Sequence, residues 1–149
     1  MKPEELRDLR VALLREGALE QMGTPEELYH EPASAFVFDF LGDSVHLPCE
    51  VKGAIAVIAG AGIPIIGKPA NQDGRATAYA RPNDFDVAPA DGAGLSGRVH
   101  SVLLAGPDAR VDCVLDDGAA IEVRLPLDAA RKLAPRDRVT VKPRTVRVW

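Results

Sequence analysis

The stretch with the most recognisable chemical spacing is a near-match to a phosphate-binding loop. Residues Gly62 to Lys68 have the pattern G-x-x-x-x-G-K, in which a lysine and backbone amides would hold nucleotide phosphates. The next position should be Ser or Thr to bind magnesium, but it is Pro69. The intervening Ile-Pro-Ile-Ile is stiff and β-prone, and no long helix follows to supply its dipole. The pattern therefore argues against ATP binding here.

The other reactive residue types lack the spacing that catalysis or metal binding needs. The three histidines, His30, His46 and His100, are far apart, and none has a second ligand at metal spacing. Cys49 and Cys113 form neither a zinc pattern nor a CxxC pair, and we expect them to be buried and reduced, with one disulfide as the alternative. No serine lies in a nucleophile-elbow motif. Catalysis within this chain is not expected.

One polar cluster, Arg81-Pro82-Asn83-Asp84, lies between two apolar β-like runs. An arginine followed by turn residues can anchor a loop through backbone hydrogen bonds, or it can hold an anion with its guanidinium group. Turn polar groups usually serve the first purpose, so anchoring is the favoured interpretation. Anion binding stays open as the alternative.

Composition describes a globular chain that does not favour polyanions or membranes. The 149 residues are 46% apolar and 27% charged, with a net charge of −4 and a pI near 5.4. Basic and acidic residues are interspersed, whereas nucleic-acid binders concentrate Lys and Arg on one face. The longest apolar run, 54–66, is broken by glycine and proline and is too short to span a bilayer. The N-terminus has no apolar signal-peptide region.

The first 44 residues contain short local elements. The pattern predicts a helix over Glu4–Leu9, then a hairpin of Arg10–Arg15 and Ala18–Met22 around the Glu16-Gly17 turn. A single hairpin cannot bury enough apolar surface to be stable alone. We therefore expect that it normally joins a larger sheet.

Two helices should follow the hairpin. Thr24-Pro25-Glu26-Glu27 has an N-cap, a proline at the first helical position and a capping-box glutamate, and this helix must stop before Pro32. A second helix is expected over Ala33–Leu41, closed by Gly42. It carries Phe36, Phe38 and Phe40, and general burial statistics indicate that these phenylalanines belong to a core.

From residue 45 onward the periodicity shifts towards two, which is typical of strands. Asp128 could cap one short helix, Ala129–Leu133. Many short strands with Gly and Pro turns and only one helix predict a small barrel or sandwich. The predicted strands are Val45–Gly53, Ala54–Ala59, Ile63–Ile66, Thr77–Arg81, Phe85–Ala88, Leu95–Leu104, Arg110–Leu115, Ala120–Leu125, Arg138–Lys142 and Thr145–Trp149.

Several of these stretches resemble a known family. The segment Gly17–Gly42, with its Thr-Pro-Glu-Glu-Leu-Tyr and Phe-Val-Phe-Asp-Phe-Leu-Gly motifs, resembles the end of the nucleotide-binding domain in ATP-binding subunits of ABC importers. The run Tyr79–Val87 resembles the Arg-Pro segment of regulatory domains in sulfate importers. The stretches Leu95–Val99, Val111–Leu115, Asp128–Leu133 and Val139–Trp149 are similar to a molybdate-binding-protein-like (MOP-like, or TOBE) unit.

The resemblance implies a mainly β fold, with an OB-like or MOP-like small β-barrel domain preceded by a short hairpin and two short helices. Residues 1–44 would be the remnant of the nucleotide-binding domain with a helical linker, and residues 45–149 the regulatory domain. The P-loop, the magnesium-site strand and the signature motif of the family are absent, so ATP and magnesium would belong to the parent protein. The chain would then be an excised domain or a truncated gene product.

Three functions follow, in order of preference. The resemblance implies a non-catalytic regulatory and dimerisation domain for sulfate or thiosulfate uptake, partnered by a second copy and, through the parent protein, by permease subunits at the cytoplasmic side of the inner membrane. The alternative is a small module that binds sulfate, molybdate or tungstate through turn amides with Arg81 and Asn83, or with Ser96 and Arg98. A nucleic-acid-binding OB barrel comes last because the chain is acidic and poor in aromatic residues.

Overall fold

The structure is a computed structural model that describes residues 9–67, 73–90 and 92–149. Its contacts divide the chain into two compact units, Met1–Ser44 and Val45–Trp149. The helix expected over Glu4–Leu9 lies outside the described residues except for Leu9, which is in no regular element.

The first unit begins with the predicted hairpin. Strands β1 (Val11–Arg15) and β2 (Ala18–Gly23) pair antiparallel around Glu16 and Gly17, whose φ angles of 52° and 80° both lie in the left-handed region. Two successive positive φ angles are the geometry that matches the right-handed twist of paired strands. The hairpin prediction is therefore confirmed, with a strand end shifted by one residue at Gly23.

Helix α1 (Pro25–His30) begins at the predicted capping box. The Thr24 hydroxyl accepts a hydrogen bond from the Glu27 amide at 3.1 Å, and the Glu27 carboxylate accepts one from the Thr24 amide at 3.4 Å. These two bonds satisfy amides that the first helical turn leaves without backbone partners. The helix ends at His30, and its C-cap Glu31 directly precedes Pro32, so it stops before that proline as predicted.

Helix α2 (Ala35–Phe40) is shorter than predicted because Ser34 caps it, accepting a hydrogen bond from the Val37 amide at 3.3 Å. Its buried face is Val37 and Phe38. Phe36 and Phe40 lie four residues apart on another face, with ring centroids 6.0 Å from each other, and Phe40 is 62% exposed. The prediction that all three phenylalanines are core is therefore wrong for Phe40.

The second unit contains two five-stranded sheets rather than one. We call the first sheet the first barrel; it has the strand order β12-β6-β3-β4-β5. A parallel bridge between Ile65 and Val146 joins its two edges, with the Ile66 amide donating to the Val146 carbonyl at 2.8 Å. This closes the sheet on itself. Its strands are β3 (Val45–Lys52), β4 (Ile55–Ile58), β5 (Ala61–Pro64), β6 (Gly74–Ala80) and β12 (Arg147–Val148).

The second sheet, here the second barrel, has the order β10-β9-β8-β11-β7, and its edge strands β7 and β10 lie beside each other. Helix α3 (Leu127–Ala130) follows β10. This helix begins after Pro126, so Asp128 lies within its first turn and is not the predicted cap. The strands are β7 (Phe85–Pro89), β8 (Leu95–Ala105), β9 (Asp108–Leu115), β10 (Ala120–Pro126) and β11 (Arg138–Pro143).

The two barrels share one topology but exchange their last strands. Each has a three-stranded meander, a fourth strand beside the first strand of that meander, and a fifth strand beyond the fourth. The chain leaves the first barrel after its fourth strand, β6, and supplies β7 as the fifth strand of the second barrel. After β11 it returns and supplies β12 as the fifth strand of the first barrel. Neither barrel is thus complete without a strand from beyond its own run of sequence.

One continuous core joins the two barrels. Buried positions alternate along β3, β9 and β10, as expected for strands with one covered face. Cys49 and Cys113 are buried and free, as predicted. The mainly β, OB-like prediction is confirmed, and the added finding is the doubling of the sheet.

Candidate functional site

The structure places the four predicted site residues at two separate positions in the second unit. Arg81 and Asn83 belong to a turn of 3-10 helix, Pro82–Asp84, that precedes β7. Ser96 and Arg98 lie on β8. We call these the Arg81 turn (residues 81–86) and the β8 patch (Ser96, Arg98, Asp116 and Arg138).

The Arg81 turn is held by bonds within itself. Arg81 is 7% exposed, and its backbone amide donates to the Asp84 carboxylate at 3.2 Å. The Asp84 amide donates in return to the Arg81 carbonyl at 2.9 Å. The buried part of this turn needs such partners because an unpaired buried polar group costs about 1–3 kcal/mol.

A residue that the sequence analysis did not single out, Arg144, completes this turn. Its guanidinium group donates to the Asn83 carbonyl at 2.7 Å, to the Phe85 carbonyl at 3.3 Å and to the Asp86 carboxylate at 3.0 Å. Its backbone amide donates to the Asp84 carbonyl at 2.8 Å. Arg144 follows β11, whose last residue pairs with Phe85, so only the strand register brings it here. These are the contacts of a structural anchor.

The β8 patch has a different character because its side chains lie on the outer surface. Ser96 and Arg98 are exposed, whereas Gly97 between them is buried. A Cβ atom on Gly97 would lie 2.6 Å from the Val114 carbonyl oxygen, so the glycine permits close approach of β9. The alternation directs the hydroxyl and the guanidinium group to one face.

Neighbouring strands add one ion pair to this patch. In the strand register Arg98 is opposite Arg138, whose guanidinium group binds the Asp116 carboxylate through two bonds of 3.0 and 3.1 Å. The Asp116 amide donates to the Ser96 carbonyl at 2.9 Å. With two arginines and one carboxylate, the patch keeps one uncompensated positive charge. It can therefore offer a guanidinium group and a hydroxyl to an anion.

The two positions do not form one site. Ser96 pairs with Thr140, whereas the Arg81 turn adjoins the other end of β11, where Pro143 pairs with Phe85. Three residues of strand separate these pairs, which is about 10 Å at 3.3 Å per residue. The register thus places Ser96 and the Arg81 turn at different ends of β11.

The stretch that resembled a phosphate loop is part of the first barrel. Gly62 and Pro64 lie within β5, and Ile65 pairs with Val146. A paired strand directs its amides to the neighbouring strand, so these cannot also surround a phosphate. Lys68 and Pro69 lie outside the described residues.

The described ranges 9–67, 73–90 and 92–149 contain neither a metal-ligand cluster nor a membrane-spanning helix. No three His, Cys, Asp or Glu side chains come together there as metal ligands would. None of the helices there has the length and apolar character to span a membrane.

The two thiols are poor nucleophiles. Burial raises the pKa of the Cys49 thiol. Burial, with a smaller contribution from the Asp112 carboxylate, raises the pKa of Cys113 to about 11. Because the thiolate is the reactive form, both side chains are expected to act as small apolar groups in the core.

Comparison with known proteins gives a family and a set of relatives. Residues 89–144 match the TOBE-like domain family, which covers the second barrel from the end of β7 to just after β11. The chain is 35% identical over 145 residues to the sulfate/thiosulfate import ATP-binding protein of Bordetella pertussis. It is 37% identical over 144 residues to that of Burkholderia pseudomallei, and each alignment covers 94% of this chain. The chain spans 41% of the length of these relatives.

A solved structure supports the fold. The cytoplasmic molybdate-binding protein ModG matches with a TM-score of 0.51 over 72% of this chain and 93% of its own, at 13% sequence identity. That identity is too low to carry more than the fold. The resemblance predicted from the sequence is confirmed: residues 89–144 match the TOBE-like domain family, and nearly the whole chain is similar to a part of the sulfate/thiosulfate import ATP-binding proteins.

Proposed function

We propose that this chain is a non-catalytic regulatory and dimerisation module of the ATP-binding subunit of a sulfate or thiosulfate importer. The observation that carries the proposal is the alignment of 94% of the chain with import ATP-binding proteins at 35–37% identity. ATP, magnesium and the permease subunits would be partners of the whole importer, at the cytoplasmic side of the membrane. The module would contribute a surface of fixed shape rather than reacting groups.

The double barrel has the physical properties that such a module needs. Its exchanged strands and shared core make it stiff, so a contact at one barrel can be transmitted to the other. The paired contacts of the Arg81 turn fix one end of β7 and β11. A stiff module can set the separation of two ATPase subunits without taking part in hydrolysis.

A chimeric importer tests the regulatory role. The matching segment of the Bordetella pertussis protein would be replaced by this chain, and sulfate uptake and ATP turnover would be measured in cells and in membranes. We expect the chimera to retain uptake and the isolated chain to show no ATP turnover. Specific, magnesium-dependent hydrolysis by the isolated chain would contradict the non-catalytic assignment.

Light scattering across a concentration series tests the dimerisation part by itself. We expect the mass to rise from one chain to two with concentration. A mass of one chain at every concentration would contradict dimerisation. The regulatory role would then still be tested by the chimeric importer.

Oxyanion binding is the second candidate, and the β8 patch is the observation that favours it. The patch offers Ser96 and Arg98 on one exposed face with an uncompensated positive charge. The ModG protein, which shares the fold, is described as molybdate-binding. Arg81 and Asn83 are weaker candidates because their turn is occupied by internal bonds.

Calorimetry with sulfate, molybdate and tungstate distinguishes the two candidates. Oxyanion binding at the patch would give a saturable heat, and Arg98→Met should lower the affinity about tenfold or more. This size is expected because hydrogen bonds to charged groups contribute about 1.5–3 kcal/mol. Arg75→Met is the matched control, because Arg75 is an exposed arginine on β6 of the first barrel. If none of the three anions gives a saturable heat, oxyanion binding is ruled out and the non-catalytic regulatory module remains.

A further inference from the structure

A cavity of about 490 Å³ lies beside the second barrel, away from the Arg81 turn, and shares Arg138 with the β8 patch. Its walls come from the end of β7, the start of β11 and the segment around α3. Most of the lining is apolar, with Val87, Pro89, Leu133 and Val139 as the larger side chains. Cavities that hold small organic molecules are usually about 300–1,000 Å³ and are lined in this way.

Three charged residues also line the cavity, and they differ in how well their charges are matched. Arg138 is held by the two bonds to Asp116. Asp137 accepts a hydrogen bond from the Ala134 amide at 2.9 Å. Lys132 is exposed and makes no ion pair within the part of the chain that the structure describes. The lysine ammonium group is therefore the lining group most available to a ligand.

The charge around the cavity favours an anion over a cation. Because Asp116 balances Arg138, the segment 128–138 is left with Arg131, Lys132 and Arg136 against Asp128 and Asp137, whereas the whole chain has a net charge of −4. An excess of cations on one segment of an acidic protein raises the local concentration of anions.

We propose that this cavity is a binding site for a small organic monoanion, a carboxylate or sulfonate with an apolar ring or branched chain. The apolar body would lie against Val87, Leu133 and Val139, and the anionic group would bind the Lys132 ammonium group. Binding itself does not depend on the proposed regulatory function. If that function also holds, the site gives the module a small-molecule input.

Amide chemical-shift mapping with three matched probes tests the site on the full chain. The probes are benzenesulfonate, neutral benzyl alcohol and cationic benzylammonium. We expect saturable shifts at Val87, Ala129, Leu133 and Val139, with benzyl alcohol about three- to tenfold weaker than benzenesulfonate and benzylammonium without saturation. Equal binding of the sulfonate and the alcohol, or shifts that map elsewhere, would overturn the proposal.

Two variants separate the charge from the cavity. Lys132→Met should reduce benzenesulfonate affinity to that of benzyl alcohol and leave benzyl alcohol unchanged, whereas Lys52→Met, an exposed lysine on β3, should change neither. Ala129→Leu should narrow the cavity and weaken the binding of both probes, with the remaining amide spectrum intact as proof of folding.

A zwitterionic occupant is the main competitor, because Asp137 could receive an ammonium group. Titration with leucine tests it. Tighter binding of leucine than of benzenesulfonate, lost in Asp137→Asn, would replace the monoanion with an amino acid and overturn the proposal. Unchanged or stronger benzenesulfonate binding in Asp137→Asn would support it.

Discussion

The two barrels have the same strand order, yet they are completed in different ways. The second barrel receives β7, a strand of five residues that begins with the buried Phe85. The first barrel receives β12, which has only two residues, and relies on the parallel bridge at Val146 for closure. The second barrel thus receives its five-residue fifth strand before its own meander in the sequence, whereas the first barrel receives its two-residue fifth strand after all the strands of the second barrel.

The exchange of fifth strands predicts that the second unit folds as one body. A barrel that lacks its fifth strand leaves a row of unpaired backbone groups and an uncovered core. Because each fifth strand is covalently continuous with the other barrel, losing one should weaken both. We therefore expect a single unfolding transition, reported equally by probes in either barrel.

The largest effect should come from deleting residues 145–149. This removes Val146 and Val148, which are 1% and 5% exposed, together with the bridge to Ile65. Burying a valine contributes about 1.5–3 kcal/mol, so the free energy of unfolding in urea should fall by about 3–6 kcal/mol. Deleting Trp149 alone, which is 40% exposed, should cost only about 1 kcal/mol. Equal losses in the two deletions would contradict the importance of the short strand.

Phe85→Ala should destabilise the protein by about 3–5 kcal/mol, because Phe85 is 1% exposed and its removal leaves a cavity. The fluorescence of Trp149, the only tryptophan, reports on the first barrel, and circular dichroism reports on both. We expect the two signals to shift together. Separate transitions would show that the barrels unfold independently. Phe40→Ala, at an exposed position, is the control, and it should change the free energy of unfolding from either signal by no more than about 0.5 kcal/mol.

The buried thiols give a comparison that depends on pH. The Cys113 thiol has a pKa of about 11 in the folded protein against a usual value of 9.0. The unfolded chain therefore loses its proton first, so the contribution of Cys113 is fully present below pH 9 and is lost as the pH rises towards 11. Relative to Cys113→Val, the wild-type protein should lose about 2–3 kcal/mol over this range in urea unfolding.

Cys49→Val is the matched variant in the first barrel. Burial raises the pKa of Cys49 as well, and the residue is 8% exposed whereas Cys113 is 1% exposed. The pH effect should have the same sign and be smaller. A larger pH effect at Cys49 than at Cys113 would contradict the structure, in which Cys113 is the more deeply buried thiol.

The smallest effect should come from adding one methyl group to a strand glycine. At Gly97 in the second barrel a Cβ atom would lie 2.6 Å from the Val114 carbonyl oxygen and 3.0 Å from the Leu115 Cα atom, both on the backbone. Gly97→Ala should cost about 1–3 kcal/mol in denaturant unfolding. Gly62→Ala in the first barrel meets only the Ile55 Cγ2 atom at 3.2 Å and should stay within about 0.5 kcal/mol of the wild type. Similar losses of stability in both variants would mean that β9 can shift to make room for the methyl group at position 97.

The features that were predicted correctly depend on neighbouring residues. The Thr24 capping box and the Glu16-Gly17 turn use bonds that span at most three residues, so their signals are complete within a short stretch. The strands of residues 45–149 are predicted from the alternation of apolar and polar residues. Any strand with one face buried in a core produces this alternation. The family resemblance rested on such local motifs as well.

The features that were missed or wrong depend on distant residues. Phe40 has the same local pattern as Phe38, and only the packing of a six-residue helix decides which ring is covered. Arg144 has no motif, and it reaches Asn83 across 61 positions of sequence because β11 pairs with β7. The cavity beside α3 likewise arises where three separated segments meet.

By itself, the sequence determined the caps, the turns, the strand periodicity and the resemblance to TOBE-like domains, because these follow from backbone preferences and side-chain patterns over a few residues. Only the tertiary structure decided that β7 and β12 change places, that Arg81 and Arg98 stand apart, and that Lys132 faces an apolar cavity. The physical reason is that strand pairing satisfies backbone hydrogen bonds with any suitable partner, so the choice of partner is made by the core that all the strands enclose.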